Sequence, residues 1–453
     1  MTDFFKEYGT YYKQLARLGL PIVAGQAGMI LVSFADNVMV GHYSTEALAS
    51  ASFVNNVFNI AILTCIGFSY GITPLAGALF GREEKAAIGR LVRNGLLLNV
   101  IFSLMITGVM TLVYFQLPNL GQPEELLPTI RPYFLLYLAG ILPISLFNVF
   151  GQWSYGIKRT GMPMWIILGA NLGNVVGNYL LIYGNFGFPE LGLTGAGIST
   201  LVSRWICPIV IICIFFLRKH NREYRDGFIH SRFNRESLRQ LNITSWPVAL
   251  QLGFETGSFS FSAVMAGWIG PIELAAFQVM VVVGSLGFCF YYSLGSATSV
   301  LVANAAGRGD HAAMRRVGFA GYHLTLLMAV CASLAFALAG RQLIGLFTTD
   351  PAVIATALSL IVPLILYQLG DATQVNFANA LRGTSHVMPM LWIAFISYVV
   401  VGIPCTYCLG FILELGIYGI FLSFSASLFL AAGLFLYFFM KHTSKRNANT
   451  ISQ

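Results

Sequence analysis

Ionisable side chains are scarce in this chain of 453 residues: Asp, Glu, Lys and Arg together make up only 10% of it. A soluble globular domain carries about 25% charged residues, so that class is excluded. A glycine-rich phosphate-cradling loop is also missing, which argues against ATP as a driving force. Cysteine is sparse, and all seven (Cys65, Cys207, Cys213, Cys289, Cys331, Cys405 and Cys408) fall inside hydrophobic stretches. Cys405 and Cys408 form a CxxC, but no second pair or His cluster accompanies them. They read as packing residues rather than as a redox or metal centre. No cleavage pattern follows the charged N-terminus, so no signal peptide is expected to be removed.

Apolar residues are abundant, at 57% of the chain. They leave room for about twelve membrane-crossing helices of roughly 20 residues each. The expected spans lie near 15–40, 47–80, 88–115, 131–156, 161–184 and 192–217. A second set lies near 241–268, 272–304, 312–340, 352–381, 387–411 and 416–440. The expected fold is all-α and polytopic, with two six-helix lobes at 15–217 and 241–440. An N-terminal segment (1–14), a basic linker (218–240) and a tail (441–453) complete it. Phe4, Phe5, Tyr8, Tyr11 and Tyr12, with Lys6 and Lys13, suggest a short interfacial helix or a frayed tail. The linker reads as a polar connection with an amphipathic piece, or as a lipid-binding segment.

The two lobes repeat one another at a single fixed offset. Pro21 matches Pro247, Val38 and Met39 match Val264 and Met265, and Gly41 matches Gly267. Leu48 and Ala49 match Leu274 and Ala275, and Gly81–Arg82 matches Gly307–Arg308. Met162–Pro163–Met164 still matches Met388–Pro389–Met390 without a gap; after a small slip, Gly192 and Gly195 match Gly416 and Gly419. Duplication of a polytopic unit is typical of secondary transporters. Six helices per copy is an even number, so the copies are expected to run parallel, related by an axis along the membrane normal.

With alternating spans and a cytoplasmic N-terminus, every Lys and Arg except Arg131, Arg341 and Arg204 falls on one side of the membrane. This positive-inside bias places both termini in the cytoplasm, as expected for a protein of the plasma (inner) membrane. The net charge of +8 is accounted for this way, and nucleic acid is not an expected partner. Arg204 falls deep inside its span, paired with a carboxylate or a helix end.

Three carboxylates fall at bilayer depth: Asp36, Glu255 and Asp371. An ionised carboxylate there costs about 2.5–3.5 kcal/mol even on the lenient insertion scale. Such a group faces a wet cavity, pairs with a cation or takes a proton; the bland alternative is a helix-end carboxylate reaching water. Gln251 lies one turn before Glu255, Tyr367 one turn before Asp371, and Gln374 one turn after it. In the first lobe, Asn174 and Asn178 are spaced i, i+4, with Thr194 at the start of the next span. Oxygen-rich groups of this kind suit a hard monovalent cation or a proton relay; the asparagines equally suit interhelical hydrogen bonding. Under the repeat offset Asp36 faces Ser262, Glu255 faces Met29 and Asp371 faces Ser145, so the copies share a scaffold but differ in chemistry. Phe34, Phe254 and Phe261 flank the acids and offer cation–π surface to a bulky organic cation, or else pack or face lipid.

At these residues the chain resembles the multidrug and toxin extrusion (MATE) family, in its NorM-like branch. The resemblance rests on Pro21 with Asp36-Asn-Val-Met-Val-Gly41, the paired Gly-Arg loops, the Met-Pro helix starts, and Glu255 with Asp371. It implies twelve helices in two bundles around a central cleft, and export of lipophilic cations against Na⁺ or H⁺. It also implies that Asp36, Asn174, Asn178 and Thr194 form a first-lobe coupling site, and that Glu255, Asp371 and Tyr367 form a second-lobe site that can take Na⁺. Some relatives carry an acid where this chain has Asn178, so the first-lobe site holds one acid fewer.

The reading that follows is a secondary antiporter, not an enzyme, working by alternating access. Its partners would be cationic lipophilic small molecules and membrane lipid, with no cofactor beyond the transported ion, and it would act as a monomer. The rival reading is a flippase for lipid-linked sugars, which calls for several cationic cavity residues where only Arg204 is expected to be buried. An intramembrane enzyme needs a tight acid or metal cluster, whereas these acids are dispersed without nearby His. A channel or receptor suits the repeat less well than a rocking carrier.

Overall fold

The computed structural model describes residues 2–119 and 123–444. Lys445 and Arg446 of the expected tail lie outside the described residues, as do the side chains of Phe4, Phe5 and Lys6. The chain is built from helices: α1 (Thr2–Tyr43), α2 (Thr45–Ser69), α3 (Ile72–Gly81), α4 (Lys85–Phe115), α5 (Leu127–Ala139), α6 (Ile141–Gly156), α7 (Gly161–Tyr183), α8 (Gly192–Leu217) and α9 (Arg222–His230). There follow α10 (Arg235–Ile269), α11 (Pro271–Gly307), α12 (His311–Gly345), α13 (Pro351–Ser359), α14 (Ile361–Gly383), α15 (Met388–Ala394), α16 (Ile403–Tyr407) and α17 (Gly416–His442).

Among the described residues, ten helical stretches are long and apolar enough to cross a membrane, and the bent pair α13–α14, meeting at 49°, makes an eleventh. The twelfth is α10, 35 residues long. Its middle carries Gln251, Glu255, Thr256, Ser258, Ser260 and Ser262 in place of an unbroken apolar run. The fold is therefore the expected all-α, twelve-span duplicate. A separate interfacial helix at the N-terminus is not formed, because α1 runs unbroken from Thr2 to Tyr43. Its early aromatics are used in packing instead: the Tyr12 hydroxyl lies 2.9 Å from His323 Nδ1, and the Tyr8 ring meets the same imidazole edge-on at 5.4 Å.

Packing divides the chain into Ala24–Ala249 and, as the second unit, Met1–Val23 with Leu250–Gln453. The divisions fall inside α1 and α10 at equivalent places in the two copies, each just after one of the matched prolines Pro21 and Pro247. A helix-interior proline deletes a backbone hydrogen bond and bends the helix, which frees its two ends to pack in different surroundings. The packing units are thus displaced from the sequence copies 15–217 and 241–440. Met1–Val23 packs with the second copy, and the linker packs with the first.

The duplication extends to backbone detail. Gly192 and Gly416 open α8 and α17 with φ of +55° and +56°, a left-handed conformation that glycine adopts without steric cost. One turn on, a Cβ at Gly195 would strike the Leu181 carbonyl and one at Gly419 the Leu409 carbonyl. The small residue is what allows each helix to approach its predecessor backbone to backbone.

The linker is docked rather than loose. α9 lies against α4, where a Cβ on Gly89 would meet the Tyr224 carbonyl and one on Gly227 the Ala86 carbonyl. Lys85 pairs with Glu223 at 2.9 Å. Arg93 donates to the carbonyls of Phe228, Ile229 and Ser231 at the end of α9, and its guanidinium covers the Phe233 ring at 4.5 Å. Cations at a helix C-terminus complement both the orphan carbonyls and the dipole.

Candidate coupling sites

In the unit Ala24–Ala249, Asp36 projects half-buried from α1 toward α7. The end of α1 is held there by Tyr183, whose hydroxyl donates to the Met39 carbonyl at 2.7 Å. The i, i+4 spacing of Asn174 and Asn178 puts both amides on one face of α7, and both side chains are buried. Asn178 Nδ2 donates to Asp36 Oδ1 at 2.5 Å. The Asn174 amide fits with its nitrogen on the same carboxylate oxygen at 2.9 Å, its oxygen then accepting from the Thr200 backbone N–H at 3.2 Å and the Thr200 hydroxyl at 3.3 Å. Amide orientation follows the network. Ser199 secures α8 against α7 by donating to the Asn174 carbonyl at 2.8 Å.

Thr194, the α8 residue expected at this site, is half-buried at the start of that helix, and the polar contacts to the asparagines come instead from Ser199 and Thr200. Sequence reasoning missed both, although these hydroxyls stand only a little farther along the same span.

Arg204 supplies positive charge to this unit. Its guanidinium lies over the Tyr137 ring at 4.3 Å, and it fits there because Gly140 has no side chain: a Cβ would meet the Arg204 side chain. The Tyr137 and Tyr133 hydroxyls are 3.3 Å apart. The Arg204 charge reaches both Tyr133 and the Asp36 carboxylate. Asp36 is therefore held by two amide donors, as a carboxylate drawn partly out of water requires.

The second unit gathers two acids. Asp371 on α14 is 2% exposed. Tyr291 on α11 donates its hydroxyl to Asp371 Oδ2 at 2.5 Å, and Tyr367 stands one turn before Asp371 on α14. Glu255 follows Gln251 by one turn on α10 and lies close enough to Asp371 for the two to repel. Tyr398 faces the same pair. It belongs to Phe395–Gly402, a stretch of wider π-helical turns between α15 and α16, and such turns recur at functional sites. Ser258 of α10 donates to the Tyr398 carbonyl at 3.4 Å.

In this second unit the buried oxygens of Gln251 (Oε1), Gln374 (Oε1) and Tyr398 have no hydrogen-bond partner among the described residues. Two carboxylates with neutral amide and phenol oxygens make a donor set that fits a hard monovalent cation or a shared proton. Tyr291 and Tyr398 were not anticipated; the available signal was a phenol placed at mid-span, which needs a partner there.

Arg382, expected just past the end of its span, is 5% exposed in the last turn of α14. Its charge reaches Glu255. Arg204 is thus not the only arginine inside the helices. Among the candidate cavity residues, Phe34 and Phe261 are exposed, while Phe254 packs on Phe395 with centroids 5.6 Å apart.

Comparison with known proteins decides the family. The MatE family model matches the chain twice, over residues 21–180 and 247–408, and the two matches begin at the paired prolines Pro21 and Pro247, in register with the internal repeat. The chain belongs to the MatE family. It is similar to the probable multidrug resistance protein NorM of Photorhabdus laumondii, at 30% identity, with 89% of this chain and 88% of the relative covered. A Synechococcus protein of the same description is 28% identical over 96% of this chain and 95% of its own.

Among solved structures, the eukaryotic MATE transporter AtDTX14 matches with a TM-score of 0.87 at 18% identity, over 98% and 99% of the two chains. The Vibrio cholerae MATE transporter VcmN, solved as a mutant, matches at 0.85 and 15% identity over 96% and 98%. These likenesses establish the fold. As a MatE member the protein is a multi-pass membrane protein and a secondary transporter, not an enzyme.

Proposed function

We propose that this MatE protein exports lipophilic organic cations across the plasma (inner) membrane in exchange for Na⁺ or H⁺. The observation that carries the reading is the buried Asp371, which accepts a hydrogen bond from Tyr291 and has the Glu255 carboxylate near it within the same unit. Two such acids repel until a cation or proton joins them, so their occupancy is sensitive to an ion gradient. A coupling ion drives alternating access to the extent that it binds one conformation more tightly than the other. The relatives described as multidrug resistance proteins support a small-molecule cargo.

In the first unit, Asp36 with Asn174 and Asn178 forms a second place for a coupling ion. The amides donate to the carboxylate as they stand, and turned over they would present carbonyl oxygens to a cation. The exposed Phe34 and Phe261 rings offer apolar and cation–π surface to the cargo. The protein acts as a monomer, since one chain carries both acid groups, and the bias of its Lys and Arg residues supports cytoplasmic termini.

The test is efflux of a fluorescent lipophilic cation from proteoliposomes under an imposed Na⁺ or H⁺ gradient, with Glu255→Gln and Asp371→Asn beside the wild type. Gradient-driven efflux that the variants lose supports the reading, and the effective gradient names the ion. A folded protein that moves no cationic dye under either gradient refutes it, and assays with lipid-linked sugars would then follow.

A further inference from the structure

A cavity of about 700 Å³ opens in the unit Ala24–Ala249, between the start of α7 and the end of α8. It holds none of the acid or amide groups described above. One part of its lining is basic (Arg159, Arg218 and His220) and the other apolar (Trp165, Ile166 and Ile214). No carboxylate lines it, so an organic cation would be repelled there. None of the three basic residues takes part in an ion pair among the described residues.

Position adds to composition. α7 begins at Gly161 and α8 ends at Leu217, so the cavity lies where two apolar spans give way to polar chain, the depth at which lipid head groups sit. Trp165 is 71% exposed on its rim, as suits an aromatic at the membrane interface. Arg159 is held in place by donating to Asn221 Oδ1 at 3.0 Å, and Asn221 in turn donates to the Ile214 carbonyl at 3.0 Å. Gly161 and Met162 of the first turn of α7 also line the cavity, and Thr160 gives that turn no side-chain cap. The positive end of α7 favours an anion.

We propose that this cavity binds an anionic phospholipid, its phosphodiester against Arg159 and Arg218 and an acyl chain along Trp165, Ile166 and Ile214. A volume within the roughly 300–1,000 Å³ of small-molecule sites is larger than a free phosphate requires. The apolar wall would be left wet by a soluble anion. Arginines near a membrane surface each favour anionic lipid by about 1 kcal/mol.

The experiment is native mass spectrometry of the full-length protein, delipidated and then offered phosphatidylglycerol, phosphatidylcholine of the same chains, or glycerol phosphate. Wild type is expected to retain phosphatidylglycerol roughly tenfold better than phosphatidylcholine, with Arg159→Gln/Arg218→Gln abolishing the difference. Arg222→Gln, which removes an equal charge outside the cavity, should change nothing. The exposed Arg218→Gln alone serves if the double variant does not fold, with a partial loss expected. Equal retention of the two lipids, an unchanged preference in the cavity variants, or an equal loss in Arg222→Gln would overturn the proposal. Glycerol phosphate bound as well as the lipid would assign the cavity to a soluble anion and overturn the lipid.

Discussion

The side-chain amide of Asn178 lies 2.5 Å from the carboxylate of Asp36, joining two helices whose residues are 142 positions apart. Removing a donor from a buried acceptor costs about 1–3 kcal/mol, more when the acceptor is charged. Asn178→Leu is therefore expected to destabilise the protein by at least about 2 kcal/mol, whereas Asn178→Asp restores the missing acid and tightens cation binding if the pair is occupied. Thermal unfolding in detergent with and without added Na⁺ separates the two effects. Equal stability of all three proteins would show that the bond contributes nothing.

Tyr291 donates a hydrogen bond to Asp371. A charge-assisted hydrogen bond contributes about 1.5–3 kcal/mol, roughly a tenfold or larger change in an equilibrium. Tyr291→Phe is expected to shift the coupling-ion concentration for half-maximal efflux by about that factor, with helix content unchanged in circular dichroism. An unshifted ion dependence would exclude the phenol from the site.

Arg204 brings a positive charge within reach of Asp36. Arg204→Gln removes the competitor for that carboxylate, so the apparent affinity of the first unit for a coupling cation is expected to rise several-fold. Arg204→Lys keeps the charge but loses the flat stacking over Tyr137. It should leave ion affinity near wild type while lowering thermal stability. Isothermal titration with Na⁺ and thermal unfolding read the two consequences separately.

At the α4–α9 contact the ion pair and the glycines can be ranked. Lys85 and Glu223 are 41% and 64% exposed, and exposed pairs contribute about 0.2–1 kcal/mol, so Lys85→Gln should be nearly silent. Gly89→Val places a side chain on the Tyr224 carbonyl and is expected to lift α9 from α4. Limited proteolysis between residues 218 and 235 reads this directly: rapid cutting in Gly89→Val and slow cutting in Lys85→Gln. Equal rates would mean that α9 is held by other contacts.

Gly195 and Gly419 allow the same prediction in both copies. Valine at either meets a backbone carbonyl that has no room to move, which in packed helices costs at least about 1–3 kcal/mol. Each variant is expected to lower the unfolding temperature by a similar amount, because the two contacts are equivalent. A large loss in one copy only would show that the copies bear load unequally.

Much of the molecule was legible in the sequence because the responsible rules are local. Apolar run length places a span, turn spacing places Asn174 beside Asn178 and Gln251 beside Glu255, and an internal offset needs no coordinates at all. An acid in an apolar run stands out by its cost alone, which is why Asp36, Glu255 and Asp371 are the candidates that the sequence offers.

What tertiary structure decided is convergence. Tyr291 reaches Asp371 across 80 residues, and Tyr398 reaches the acids from a π-helical turn whose extra residue per turn no apolar pattern encodes. Ser199 and Thr200, rather than Thr194, face Asn174 because helix rotation, set by the close packing of α7 on α8, selects which hydroxyls point inward. Arg382 stands just past its expected span, and only the structure shows that its side chain is buried in the last turn of α14. The exchange of α1 and α10 between packing units is likewise a property of contacts. The sequence by itself determined the spans, the duplication and the acids; only the folded chain determined which partners surround them, since side-chain direction between helices depends on packing distributed over the whole unit.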